Sequence, residues 1–283
     1  MKILVTGATG FVGNHVIRRL LTLGQEVVAT ARSRDKARKF EWFNRVLFIP
    51  YEIEVSSSIK SVYDYFERPD ILIHLAWGGL PDFQNSIHIE SILPANRNFL
   101  TDYIQSGGKH LLVTGTCLEY GKQSGSLSED LNTYPATQYG KAKNDLRIFL
   151  DGLQKQNSSF LFQWVRLFYM YGQGQHPKSI IPQLDTAIKN GDAFFNMSGG
   201  EQTRDYLPVQ QVAEYICKIA LQDRVTGIIN CCSGNPISVK HLVEKYIISK
   251  GASIKMNLGY YPYTSYEPMH FWGNNTKLKS VEQ

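Results

Sequence analysis

Short, nearly continuous apolar runs alternate with stretches whose apolar residues recur at helical spacing. In the first half, residues 2–6, 26–31, 45–49, 71–75 and 110–114 read as strands, and 11–23, 33–40, 57–66 and 87–105 as helices. A strand that is apolar on both sides is buried on both faces, and helices between such strands predict a parallel sheet with right-handed crossovers. The pattern continues with a helix over 138–153, a strand over 160–166 and a helix over 179–190. After Gly199 it loosens to a helix over 209–221, a strand over 227–231 and a helix over 239–249. The last thirty residues, rich in aromatics, Pro, Gly and Asn, read as irregular, and no internal repeat is visible.

The first strand and first helix are joined by TGATGFVG, which places Gly7, Gly10 and Gly13 at G-x-x-G-x-x-G spacing. Glycines there permit a tight turn, let backbone N–H groups approach a pyrophosphate and let the helix pack closely on the strand. The helix start adds a favourable dipole for an anion. With a strand before it and an amphipathic helix after it, the loop reads as a dinucleotide site built by Gly7, Thr9, Gly10, Phe11, Val12 and Gly13. The end of the second strand then discriminates the cofactor. An acidic residue would bind the ribose hydroxyls of NAD, but this chain has Ala31, Arg32 and Ser33. Arg32 can pair with a 2′-phosphate, assisted by Arg34 or Lys36, so NADP (NADPH) is expected over NAD; the rival reading is a solvated basic helix start. Glu52, after the third strand, reads either as an adenine neighbour or as a solvated loop carboxylate.

The fold class is therefore α/β: a Rossmann-type doubly wound parallel sheet with a smaller α/β substrate-binding lobe. Residues 1–166, rejoined by 204–232, are assigned to the dinucleotide-binding domain. Residues 167–203 and 233–283 are assigned to the lobe, which should cap the carboxyl ends of the strands. The 283 residues and 43% hydrophobic content suffice for a substantial core. No apolar run reaches the ~18–20 residues of a membrane helix, and the start lacks the marks of a signal peptide, so a cytoplasmic protein without a membrane partner is expected. The net charge of +5 is scattered apart from 32–38 and 277–279, with no stripe that would indicate a nucleic-acid partner. Cys117, Cys217, Cys231 and Cys232 have no metal-ligand spacing and read as reduced thiols, with Cys231 and Cys232 facing opposite ways along a strand. No metal is expected.

Tyr139 and Lys143 lie four residues apart on a predicted helix and share a face. A nearby ammonium favours the phenolate and would bring the phenol into useful acid–base range. Lys143 could also hold the nicotinamide ribose. Thr116, at the end of the fifth strand, could hydrogen-bond a substrate carbonyl oxygen together with Tyr139. Y-x-x-x-K alone is as readily a surface tyrosine with a solvated lysine; the upstream glycine loop and the strand-end threonine favour the catalytic reading.

The chain resembles an extended short-chain dehydrogenase/reductase of the NAD(P)-dependent nucleotide-sugar epimerase/dehydratase family over nearly its whole length. The resemblance rests on TGATGFVG, ILIHLAW, GTCLEYG, YGKAK, VRLFYMYGQG and GGEQTRDYLPV. It implies that Tyr139 donates or accepts the proton, with Lys143 and Thr116 as partners. Arg204 would bind the diphosphate of a nucleotide-sugar partner, and His74, Leu75, Ala76 and Trp77 would line the cofactor cleft. It further implies a homodimer formed through two helices per subunit.

The departures narrow the chemistry. Dehydratases of the family carry an Asp-Glu pair after the threonine, where this chain has Cys117 and Leu118, and Leu118 transfers no proton. Epimerase-reductases use a Cys and a His at the positions of Leu118 and Ile180 here. Cys117, facing away from Thr116 on an alternating segment, reads as packing, and His176 as a loop histidine. Tyr169 replaces a usual Asn, which implies a different substrate pocket. HLAWGGLPDF, GTCLEYG and YEPMHFWGNN are similar to the branch that reduces dTDP- or CDP-linked 4-keto-6-deoxyhexoses, with Trp77, Tyr169, Tyr206 and Trp272 as candidate walls. The expected activity is NADPH-dependent 4-keto reduction of a sugar bound to dTDP, yielding dTDP-fucose or dTDP-6-deoxytalose and serving polysaccharide biosynthesis. A nucleotide-sugar 4-epimerase and a non-catalytic NADP-binding protein are the rivals.

Overall fold

A computed structural model describes residues 1–54 and 59–282. Seven parallel strands form the central sheet: β1 (Lys2–Thr6), β2 (Glu26–Thr30), β3 (Leu47–Phe48), β4 (Ile71–His74), β5 (His110–Thr116), β7 (Leu161–Leu167) and β11 (Gly227–Cys231). β6 (Gly125–Leu127), β8 (Tyr169–Tyr171), β9 (Phe194–Asn196) and β10 (Thr203–Pro208) lie between them in the chain; β12 (Pro236–Ser238), β13 (Lys255–Asn257) and β14 (Phe271–Gly273) follow. The helices are α1 (Phe11–Thr22), α2 (Arg34–Ala37), α3 (Val62–Tyr65), α4 (Leu93–Gln105), α5 (Gln138–Gln156), α6 (Ile180–Asn190), α7 (Val209–Ala220), α8 (Val239–Ser249) and α9 (Thr276–Ser280).

The order across the sheet is β11-β7-β5-β4-β1-β2-β3, so the winding reverses between β1 and β4. That reversal opens a crevice at the carboxyl ends of those two strands. The doubly apolar strands are explained by the two cores they separate. Ile3, Val5, Val27, Ala29 and Ile73 face α1 and α7 on one side. Leu4, Val28, Leu72, Val113 and Trp164 face α3, α4 and α5 on the other. Cys231 joins the first of these cores and Cys232 a separate cluster with Phe168 and Phe271, which bears out their opposite facing. Beyond the sheet, β10 pairs with β8 and β12, and β9 with β13.

The predicted strand and helix over 227–231 and 239–249 coincide with β11 and α8. Elsewhere local chemistry shifts the borders. The expected strand over 45–49 shrinks to two residues because a 3₁₀ turn takes up Phe43–Arg45. The expected helix over 33–40 is four residues long, capped by the Ser33 hydroxyl. The helix expected over 57–66 begins at Val62, where Ser61 caps it; residues 57 and 58 lie outside the described residues. The single helix expected over 87–105 is a π-helical turn, His88–Ile92, followed by α4. Pro94 at the start of α4 lacks the N–H an unbroken helix would use. The tail read as irregular contributes β14, which pairs with β6, and α9, whose Lys277 reaches the Thr226 carbonyl at 2.8 Å.

Candidate active site

A cavity of about 1070 Å³ opens along the carboxyl edge of the sheet. Gly7, Thr9, Gly10, Phe11, Val12 and Gly13 form one end of it. Gly7 has φ +67°, and a Cβ there would sit 3.0 Å from the Ala76 nitrogen. At Gly13 a Cβ would lie 2.3 Å from the Gly7 carbonyl oxygen, so only glycine lets α1 approach the loop this closely. Gly10 caps α1 without a side-chain hydrogen bond, and no acidic residue stands in the first turn. The helix thus presents uncapped N–H groups to the cavity, an arrangement suited to a pyrophosphate. These residues fit a dinucleotide.

Leu75 and Trp77 also line the cavity, whereas Ala76 does not: its N–H donates to Thr6 Oγ1 at 3.2 Å and its backbone backs Gly7. His74 lies beneath the floor rather than in the cleft. Its Nδ1 meets Thr6 Oγ1 at 3.0 Å, its Nε2 meets Asn96 Oδ1 at 2.7 Å, and its ring stacks on Phe99. Burial, reinforced by Lys143, pushes it down to about 3, so it is a neutral core histidine. Arg32 and Glu52 are not part of the cavity wall either; they face each other at 3.4 Å on the surface, 76% and 52% exposed. Lys36, on α2, does reach the wall.

Thr116, Tyr139 and Lys143 converge on the middle of the same cavity. Thr116 ends β5 and caps a 3₁₀ turn, Cys117–Tyr120, its Oγ1 accepting from the Leu118 N–H at 3.3 Å. Tyr139 enters on the first turn of α5, where Thr137 caps the helix and the Tyr139 N–H donates to the Phe83 carbonyl at 3.0 Å. A Cβ on Gly140 would stand 2.8 Å from the Leu118 carbonyl, so that glycine lets α5 press against the turn carrying Thr116. Trp77, Phe83 and His88 surround the Tyr139 ring, with centroids 6.0, 5.6 and 5.4 Å away.

Lys143 Nζ donates to the Thr114 carbonyl at 2.8 Å and lies 4.0 Å from the centroid of the Trp77 ring. Burial pushes its ammonium down to about 7, with Glu119 acting the other way. The Tyr139 phenol moves opposite to the expected acidification. Burial raises it, helped by Glu119 and Cys117 and opposed by a hydrogen bond with Thr116. The pocket thus holds the phenol protonated. The placement of Cys117 also differs from its reading as a strand residue: the chain turns after Thr116, and Cys117 both packs against Phe168 and lines the cavity.

At the far end, Arg204 on β10 is 4% exposed and lines the cavity beside Tyr169 and Tyr206. Its guanidinium donates to the Thr203 and Met269 carbonyls at 2.8 and 3.1 Å and to Glu267 at 3.0 Å. The Tyr169 hydroxyl donates to the same Glu267 carboxylate. Trp272 is absent from the wall, because the alternation of β14 turns Phe271 inward and pairs Trp272 beside Ser126. His176 sits on the exposed loop before α6 and also lines the cavity. Sequence reasoning missed Glu119 and Glu267. An isolated acid within the apolar GTCLEYG run was a readable signal for the first; Glu267 carries no comparable signal.

Comparison with known proteins agrees with this construction. The model of the NAD dependent epimerase/dehydratase family matches residues 3–232. The chain is 27% identical to a dTDP-6-deoxy-L-talose 4-dehydrogenase (NAD(+)) of Aggregatibacter actinomycetemcomitans, covering 96% of this chain and 99% of that protein. It is 26% identical to a dTDP-4-dehydro-6-deoxyglucose reductase of Escherichia coli, covering 86% and 79%. In fold it is similar to a UDP-N-acetylglucosamine 4-epimerase from Methanobrevibacter ruminantium M1 in complex with UDP-N-acetylmuramic acid, with a TM-score of 0.85 at 20% identity over 100% and 92% of the two chains. The glycine cradle, the reversal of winding beside it and a family match spanning most of the sequence make this chain a member of the NAD dependent epimerase/dehydratase family.

Proposed function

We propose that the chain reduces the 4-keto group of a nucleotide-linked 4-keto-6-deoxyhexose, bound as the dTDP form, with NADPH as reductant. The product is a dTDP-6-deoxyhexose such as dTDP-fucose or dTDP-6-deoxytalose. The observation that carries this reading is the meeting of Thr116, Tyr139 and Lys143 in the wall of the cavity whose end is the glycine cradle. Leu118, in the same wall, has no proton to exchange, which argues against dehydration. Two relatives have names for redox chemistry on dTDP-linked 6-deoxy sugars, which supports the same substrate class.

A dinucleotide held by Gly7, Gly10 and Gly13 would supply the hydride for carbon 4. Tyr139 supplies the proton: its O–H bond breaks as the carbonyl oxygen becomes a hydroxyl, and a phenolate is left. That charge forms beside the Lys143 ammonium, four residues along the same helix face. The Thr116 hydroxyl accepts from Leu118, which leaves its own proton to donate to the same carbonyl oxygen. Residues 167–203 and 233–283 act as the substrate lobe, with its Tyr169 and the adjoining Arg204 at the diphosphate end.

For the cofactor, Ala31, Arg32 and Ser33 follow β2 in place of an acid and Lys36 lines the cavity, which supports NADP; Arg32 would have to leave Glu52 to meet a 2′-phosphate. NADPH should therefore outperform NADH in kcat/KM. Arg32→Ala should narrow that preference about tenfold, by removing one charge-assisted contact. Equal use of both cofactors by the wild type would remove the assignment of NADP. Consumption of NADPH on mixing with the dTDP-4-keto sugar tests the reaction itself; a 4-epimerase would interconvert sugars with no net consumption.

A further inference from the structure

Glu119 is a carboxylate with no solvent exposure, one turn from the proposed reacting groups, and the chemistry above does not use it. It closes a capping box: the Thr116 N–H donates to its Oε1 at 2.8 Å while Thr116 caps the turn that carries Glu119. A cap at a surface turn needs nothing more, but here two side chains of β7 are also committed to it. Arg166 Nε donates to Oε2 at 2.8 Å, and Trp164 Nε1 lies 3.0 and 3.1 Å from the two oxygens. Gly115 makes room for this group, since a Cβ there would lie 2.2 Å from Trp164 Nε1 and 2.4 Å from Glu119 Oε1.

We propose that Glu119 is a positioning residue for proton transfer: its carboxylate, clamped by Arg166 and Trp164, holds Thr116 by its N–H so that the Thr116 hydroxyl is aimed at the Tyr139 phenol and the substrate oxygen. This rests on the reading of Tyr139 as the proton donor. Thr116 is fixed at two points, its N–H by Glu119 and its Oγ1 by the Leu118 N–H, which leaves its hydroxyl proton free to donate. The same carboxylate also acts through space. It raises the Tyr139 phenol and, against the effect of burial, the Lys143 ammonium. The other titratable groups around the pair are Cys117 on the turn, Arg166 on β7, His88 on the π-helical turn and His74 on β4 beside Lys143. His74 is held neutral, and among the described residues Glu119, its charge partly offset by Arg166, is the carboxylate that bears on both reacting groups.

The test is Glu119→Gln, measured for kcat, KM and the pH dependence of kcat beside the wild type and Tyr139→Phe, with thermal unfolding to confirm folding. Gln can keep an oxygen for Thr116 and Trp164 but then sets an amide nitrogen against the Arg166 donor. The expected result is a kcat lowered about tenfold or more, an unchanged KM for NADPH, and a pH limb moved toward acid. A folded Glu119→Gln enzyme with wild-type kcat and pH profile overturns the proposal. Should that variant fail to fold, Trp164→Phe keeps the charge and removes one clamp. It is expected to lower kcat less and leave the pH limb in place, and full kcat in it overturns the proposal. Full activity in Tyr139→Phe would instead overturn the underlying reading, so the two failures are distinct.

Discussion

At the scale of single residues, the site is governed by burial working against charge. Tyr139 and Lys143 are both almost fully enclosed, and enclosure drives each toward its neutral form: the phenol upward, the ammonium down to about 7. In the proposed reduction a protonated phenol is the form needed, and a protonated Lys143 is the form that would stabilise the phenolate left behind. The sign follows directly. Lys143 is charged below its value and neutral above it, so kcat for reduction should fall as pH rises through about 7. Lys143→Met should be slow at every pH and lack that limb. A pH profile of kcat checks both, and a wild-type rate flat from pH 6 to about 9 would contradict the role given to Lys143. The pair was legible because helical spacing alone puts residues four apart on one face. The direction of the phenol was not legible. Spacing reveals the neighbouring ammonium but not the Trp77, Phe83 and His88 cage that excludes water. The role of Glu119 was hidden for a related reason, since it depends on Trp164 and Arg166, which only strand pairing brings beside it.

At the scale of elements, the contact between α1 and the loop after β1 decides whether a dinucleotide can be held. The Gly13 position leaves 2.3 Å between a hypothetical Cβ and the Gly7 carbonyl. Gly13→Val should therefore force α1 away from the loop and weaken NADPH binding at least about tenfold, as measured by titration of the purified protein. Wild-type affinity would show that this contact does not shape the site. The loop was readable because glycine spacing, strand and helix all point to one geometry. Interior strands were equally readable, since a segment buried on both faces admits little but apolar residues. The segments that resisted reading owe their form to partners distant in sequence. β14 exists because Phe271–Gly273 lies along Gly125–Leu127, and nothing local in an aromatic, Pro-rich tail announces that pairing. The π-helical turn before α4 likewise shows no signal beyond Pro94.

At the scale of the whole molecule, the tail returns to the cavity and closes its far end. Glu267 from the tail holds Arg204 from β10 and the hydroxyl of Tyr169 from β8, joining three segments of the chain around one carboxylate. Arg204, expected to face a diphosphate, has its charge met by Glu267. An incoming diphosphate competes with Glu267 for the guanidinium, so Glu267→Gln should bind dTDP more tightly, by about tenfold, while unfolding at a lower temperature. Calorimetric titration with dTDP checks this, and weaker binding would mean that Glu267 supports the nucleotide rather than competing with it. The proposed reduction would take place in the middle of the cavity, beside Tyr139. Its most direct test is NADPH absorbance after mixing with the dTDP-4-keto-6-deoxyhexose, for the wild type and Tyr139→Phe in parallel. The wild type should consume NADPH in step with the sugar reduced, and the variant should be at least about a hundredfold slower. Unchanged absorbance in the wild type, or an undiminished rate in Tyr139→Phe, would contradict the proposed reduction.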